Sequence, residues 1–164
     1  MRIHDQSSDP ESNRPLSSNS TTRSDEVLRA AALAFACATG YNSVVAIRDH
    51  VPGEPLGIRI SLSVSTGILV GWGSAVAAPW PMPALALLTA SRQPGRDTQN
   101  RSALICAGIG VAGIVGILIE PNTYRARSWT SATRRAVVAH VATSLILAAA
   151  GIRHLRHAAN PEAG

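Results

Sequence analysis

Apolar residues run along this chain in four blocks, separated by short polar stretches rich in proline, glycine and arginine. The first runs from Val27 to Ile47 and is interrupted only by Arg29, whose long stem can carry its charge to a membrane interface. The second, Ile60 to Ala90, has 31 residues, and as one straight helix it would extend roughly 45 Å against a hydrocarbon core of about 30 Å. The third, Ser102 to Ile119, is 18 residues without a charge and stops abruptly at Glu120 and Pro121. The fourth, Ala136 to Ile152, has 17 residues, the short end of the spanning range. This pattern predicts an all-α fold, an integral membrane four-helix bundle over residues 27–157 with spans at 27–47, 60–90, 102–119 and 136–152.

The length of the second block demands a bend or a break. Pro79-Trp80-Pro81-Met82-Pro83 is the expected place, because each proline removes a backbone donor and crowds the preceding turn. One bent span is the preferred reading; the alternative has 60–78 crossing and 84–90 lying at the interface. Residues 60–65 alternate Ile-Ser-Leu-Ser-Val-Ser as a strand would, but an open sheet edge in lipid leaves backbone groups unpaired, so helix is retained. Residues 1–26 hold too little apolar surface to offset the entropy of ordering, which predicts a disordered polar tail, and 158–164 reads as a disordered C-terminus. The acidic residues Asp5, Asp9 and Glu11 ahead of the first apolar block argue against a signal peptide.

Composition sharpens the membrane reading. Hydrophobic residues make up 46% but aromatics only 4%, as expected where helices pack through small side chains without a ring-filled core. Small residues line the third block, and Gly108, Ala112, Gly113 and Gly116 are the expected packing positions. All 15 basic residues are arginine, and they sit in tails and loops. No basic helix or aromatic-interleaved patch stands out, so the net charge of +5 points to membrane flanks and not to nucleic acid. Nine arginines on the side of the two termini against six on the other place both termini in the cytoplasm. The lack of lysine beside abundant Ala, Gly and Arg suggests a GC-rich bacterial genome.

Gly108-Ile109-Gly110-Val111-Ala112-Gly113 spells the dinucleotide-binding fingerprint, but it lies inside an apolar run with no strand before it, so helix packing is the better reading. Cys37 and Cys106 read as buried, inert thiols at different depths, unsuited to a disulfide. His154 and His157 read as part of a solvated basic tail, and no metal or cofactor is expected. No GxSxG, HExxH or P-loop is present.

One constellation follows from depth. Tyr41 and Asn42 fall in the last turns of the first span, Thr66 early in the second, Glu120 at the end of the third and His140 one turn into the fourth. All then occupy the same outer layer of the bilayer, about 10 Å deep. Ionisable groups inside spans are costly and tend to face the bundle interior, so these residues form a candidate polar pocket. The leading expectation is a non-enzymatic, multi-pass protein of the cell membrane, surrounded by lipid, that packs with itself or with a membrane protein partner through the third span. The alternative is a proton-linked small-solute transporter or small-ligand binder using the Glu120 and His140 pocket.

Overall fold

The computed structural model describes residues 18–58, 62–70, 73–91, 96–124 and 129–159. These residues form helices α1 (Ser18–Arg48), α2 (Val64–Val70), α3 (Pro81–Ala90), α4 (Arg96–Leu118), α5 (Pro121–Tyr124) and α6 (Ser131–Ala159), with a 3-10 turn at Pro55–Gly57 and no strand. Three stretches, Arg23–Arg48, Asp97–Leu118 and Ser131–Ala159, are long and apolar enough to cross a membrane. They coincide with the first, third and fourth apolar blocks.

Three sequence expectations need correction. The segment from Ser18 to Glu26 is not a disordered tail but the first turns of α1, so only residues 1–17 of that expected tail lie outside the described residues. Ala158 and Ala159 are helical, and 160–164 lie outside the described residues. The second block is not one bent span: α2 ends at Val70 and α3 starts at Pro81, so a simple four-helix bundle does not describe the fold. At about 1.5 Å per residue, the 10 residues of α3 reach only about 15 Å, half a hydrocarbon core.

The three long helices are apolar all round, which is why hydropathy finds them and periodicity does not. Many of their large side chains, such as Leu33, Val44, Leu104, Val138, Leu145 and Ile146, point outward, whereas Ala31, Ala32, Ala103, Ala136, Ala148 and Ala150 are buried together with Leu28, Val45 and Leu147. Phe35 is a fully buried exception on α1. Small residues inside and large ones outside is the arrangement that gives close helix contact in lipid, where large alkyl groups gain nothing by leaving the solvent. Two buried hydroxyls of α1 are satisfied within the helix: Thr39 donates to the carbonyl of Phe35 at 2.9 Å and Ser43 to that of Thr39 at 2.8 Å.

The closest approach is between α4 and α6. A Cβ on Gly110 would lie 2.5 Å from the Ala148 nitrogen and the Ser144 carbonyl oxygen, and one on Gly151 would lie 2.5 Å from the Ala103 carbonyl oxygen. The two backbones touch in antiparallel fashion through Gly110, Gly113 and Gly151. The fingerprint-like glycine run is therefore part of one continuous helix, and of the four expected packing positions one faces α6. Gly113 packs against His140 and Ser144, whereas Gly108 and Gly116 meet nothing within 4 Å and Ala112 is exposed.

Polar contacts fasten both ends of the bundle. At one end Asp25 of α1 lies 3.6 Å from Nδ1 of His154 on α6 and accepts a hydrogen bond from Gln99 of α4 at 3.0 Å, while Ser24 lies 3.1 Å from the same His154 nitrogen. Arg29 donates to the Ala90 carbonyl that closes α3. The start of α1 and the end of α6 thus meet at the same end. His154 is buried and bonded there, not solvated, whereas His157 is exposed. Cys106 is buried, Cys37 is exposed, and both are free thiols. At the opposite end Asp49 accepts hydrogen bonds from Arg48 Nε at 2.8 Å and from the Thr130 and Thr133 hydroxyls at 2.7 Å each. Thr130 also caps α6 by accepting from the Thr133 amide. The Arg48 guanidinium first, then the two threonine hydroxyls, hold the Asp49 carboxyl well below the ordinary carboxylate range.

Between α2 and α3 the chain from Gly73 to Trp80 runs through the bundle without a regular helix. Gly73 takes φ +74°, a conformation costly for any other residue, and a Cβ there would stand 3.0 Å from the Ala77 carbonyl oxygen. Ser74 then makes a tight turn, its amide donating to the Ala77 carbonyl while its hydroxyl accepts from the amides of Val76 and Ala77. Ala75 donates to Pro52, Gly73 to Gly67 and Trp80 to Ile68. Residues 75–78 are buried, so this irregular backbone lies within protein, the only place it is tolerated at membrane depth.

Two outcomes test this packing. Gly110→Val should cost about 2–3 kcal/mol through backbone collision, whereas Gly108→Ala should leave stability unchanged or raise it by up to about 1 kcal/mol through helix propensity. Unfolding in detergent micelles measures both, and equal effects would contradict the assigned faces. The depressed Asp49 pKa means its contribution is complete above the ordinary value near 3.9 and is lost as pH falls through the lower folded value. The stability gap between wild type and Asp49→Asn should therefore be flat from about pH 5 to 8 and close only in stronger acid. A gap that varies across neutral pH would show that another group governs this joint.

Candidate functional site

Because α3 begins only halfway along the bundle, the space beside its first residues is left to α4 and α6. A cavity of about 90 Å³ opens there. One wall is the irregular stretch and the α3 start, with Ser74, Pro79 and Met82; another is α4, with Gly113 and Gly116; His140 of α6 and Glu120 bring polar groups to it. Small residues on α4 make the room: a Cβ on Gly116 would meet nothing within 4 Å.

Glu120 is 4% exposed, and its Oε2 accepts a hydrogen bond from the Glu54 amide at 3.0 Å. The neighbouring Ile119 carbonyl accepts from the Leu56 amide, so the α4 terminus holds the loop that follows α1. The carboxylate both lines the cavity and fastens that loop.

His140 is 3% exposed, and its Nε2 lies 3.3 Å from the Gly113 carbonyl oxygen. A carbonyl only accepts, so Nε2 carries the proton, and in the neutral ring Nδ1 is left as a lone-pair acceptor. Among the described residues Nδ1 has no hydrogen-bond partner, and neither has the hydroxyl of Ser144 one turn further along α6. The ring is held on its other side by Phe35, with centroids 5.9 Å apart. His140 lies nine residues into α6, about 14 Å from its start, deeper than its position in the apolar block predicts.

The remaining expected pocket residues do not join these two. Asn42 is fully buried and neither side-chain polar atom has a partner among the described residues, but it does not line the cavity. Tyr41 is 45% exposed, on another face of α1. Thr66 is exposed and bonds to Ser63 at 2.7 Å. Sequence reasoning missed Ser74, which it placed on a helix, Met82, which it placed at the proline bend, and Ser144. The one signal for Ser144 is its spacing of four residues from His140 on the same helix.

Among the described residues no group of three or more His, Cys, Asp or Glu side chains converges to hold a metal. Nor does the start of α3 offer an anion site, although helix N-termini commonly do. Pro79, Pro81 and Pro83 have no amide hydrogen, and the amides of Trp80, Met82 and Ala84 are used by the carbonyls of Ile68, Pro79 and Trp80. No protein-family model, curated protein or solved structure matches the chain.

The two roles of Glu120 separate by substitution. Glu120→Gln keeps a carbonyl acceptor for the Glu54 amide, whereas Glu120→Ala removes that acceptor at a cost of about 1–3 kcal/mol. Limited proteolysis within residues 51–57 should be about tenfold faster or more for the alanine variant and near wild type for glutamine. Equal cleavage of wild type and Glu120→Ala would remove the loop-fastening role.

Proposed function

We propose that this chain is a non-enzymatic, multi-pass protein of the cell membrane that binds a small solute in the Glu120 and His140 cavity and passes it across the bilayer. The observation that carries the reading is the meeting of two buried ionisable side chains in one cavity, beside a broken crossing with satisfied irregular backbone. Intramembrane ionisable groups and interrupted helices both favour a solute site over plain structural packing. The arginine distribution supports cytoplasmic termini.

A second reading keeps its own observation. Gly108, Ala112 and Gly116 form an exposed stripe at four-residue spacing; Ala112 and Gly116 also line the cavity, while the open space beside Gly108 suits close packing against a second copy or another membrane protein. The inward stripe is already used by α6.

Reconstitution in liposomes loaded with a pH-sensitive dye separates these readings. Small-solute gradients should drive a lumenal pH change in wild-type vesicles, reduced at least tenfold by Gly116→Leu, which fills the cavity. Wild-type vesicles that match empty liposomes for every solute would contradict transport. Loss of a dimer in Gly108→Leu, seen by sedimentation in detergent, would favour the packing reading.

A further inference from the structure

Resting on the membrane-spanning part of that reading and not on the cavity, we propose that the end of the bundle where α1 begins and α6 ends binds anionic phospholipid headgroups of the adjoining leaflet through a collar of arginines. The helix register sets them level. Gly151 stands against Ala103 and Ala107, which brings Arg101 of α4 to the height of Arg153 and Arg156 of α6, and the contact of Asp25 with His154 brings Arg23 of α1 there too. All four side chains are exposed.

Their height is that of a membrane boundary. The outward residues of α6 are apolar through Leu145, Ile146 and Ile152 and turn basic at Arg153, while those of α4 turn from Arg101 to the apolar Leu104. Along α6, Arg153 lies about 30 Å from Thr133 in the Asp49 joint, the thickness of one hydrocarbon core. The charges are also available. The ion pairs among the described residues, Arg48 with Asp49 and Asp25 with His154, use none of the four. Asp25 is taken up by His154 and Gln99, so the opposing exposed carboxylates of the described residues at this end are Glu26 and Asp97. Guanidinium forks match phosphate oxygens, and a headgroup with net negative charge is the phosphate that a membrane offers at this height.

The test is electron spin resonance of the full chain in phosphatidylcholine vesicles holding a trace of spin-labelled phosphatidylglycerol or phosphatidylcholine, which reads the lipid held at the protein surface. The expected result is a wild-type preference for phosphatidylglycerol of about twofold or more, weakening as salt rises. Arg101→Gln, Arg153→Gln and Arg156→Gln combined should cut that preference by about half or more, whereas Glu26→Gln, which deletes an opposing charge, should raise it. These positions are exposed, so the variants keep the fold, which circular dichroism checks. Equal association of both lipids with wild type, or a preference that the triple variant retains and Glu26→Gln leaves unchanged, overturns the collar while the spans and cavity stand. Displacement of the labelled lipid by inorganic phosphate at constant ionic strength also overturns it, in favour of a soluble-anion site. A chain that immobilises neither lipid overturns the membrane reading as well.

Discussion

The backbone contact between α4 and α6 is the constraint on which the rest of the molecule depends. Gly110 and Gly151 leave no room for a side chain, so the two helices lie against each other antiparallel, with Ala103, Ala107, Ser144 and Ala148 completing the seam. In lipid, where burial of alkyl surface gives little net drive, this proximity and its dispersion contacts are what hold helices together. The same seam brings Gly113 under the His140 ring, so its carbonyl fixes which imidazole nitrogen carries the proton.

With α4 and α6 fixed and α1 laid along α6, the second apolar block must fill what remains. It does so with a half-length helix and a buried turn, because three closely spaced prolines and a positive-φ glycine forbid a continuous helix. Ser74 and the carbonyls of Gly67, Ile68 and Pro52 take up the backbone amides that a helix would have satisfied. The shortfall in helix becomes a cavity instead of a collapse, since its α4 wall is glycine and its other walls are braced by the Glu120 and Asp49 joints.

Hydropathy read along the chain recovers depth but not direction around a helix axis, and that distinction explains what was legible. The spans corresponding to α1, α4 and α6 follow from their apolar length; one cavity reaches both Glu120 and His140, but His140 sits beside Gly113, deeper than the outer level expected for it. Tyr41 and Thr66 share that level but face elsewhere, and nothing in an all-apolar helix reveals the face. The glycine faces were ambiguous for the same reason. Ala103, Ala107 and Gly110 form one small stripe and Gly108, Ala112 and Gly116 another on the opposite side, and only the partner residues Ser144, Ala148 and Gly151 select between them. The polar opening of α1 was missed because its helix is fastened by contacts distant in sequence, Asp25 to Gln99 and His154.

The seam is also what separates a self-contained bundle with a cavity from a helix that packs onto a partner. Cysteine cross-linking reads it directly. With Cys37→Ala and Cys106→Ala as background, Gly113→Cys and Ser144→Cys are introduced together and oxidised in membranes, because a Cβ built on Gly113 lies 3.3 Å from the Ser144 Cβ, near the short end of what a disulfide spans. Rapid disulfide formation within single chains is the result this account predicts. Links formed only between chains, or none, would contradict it.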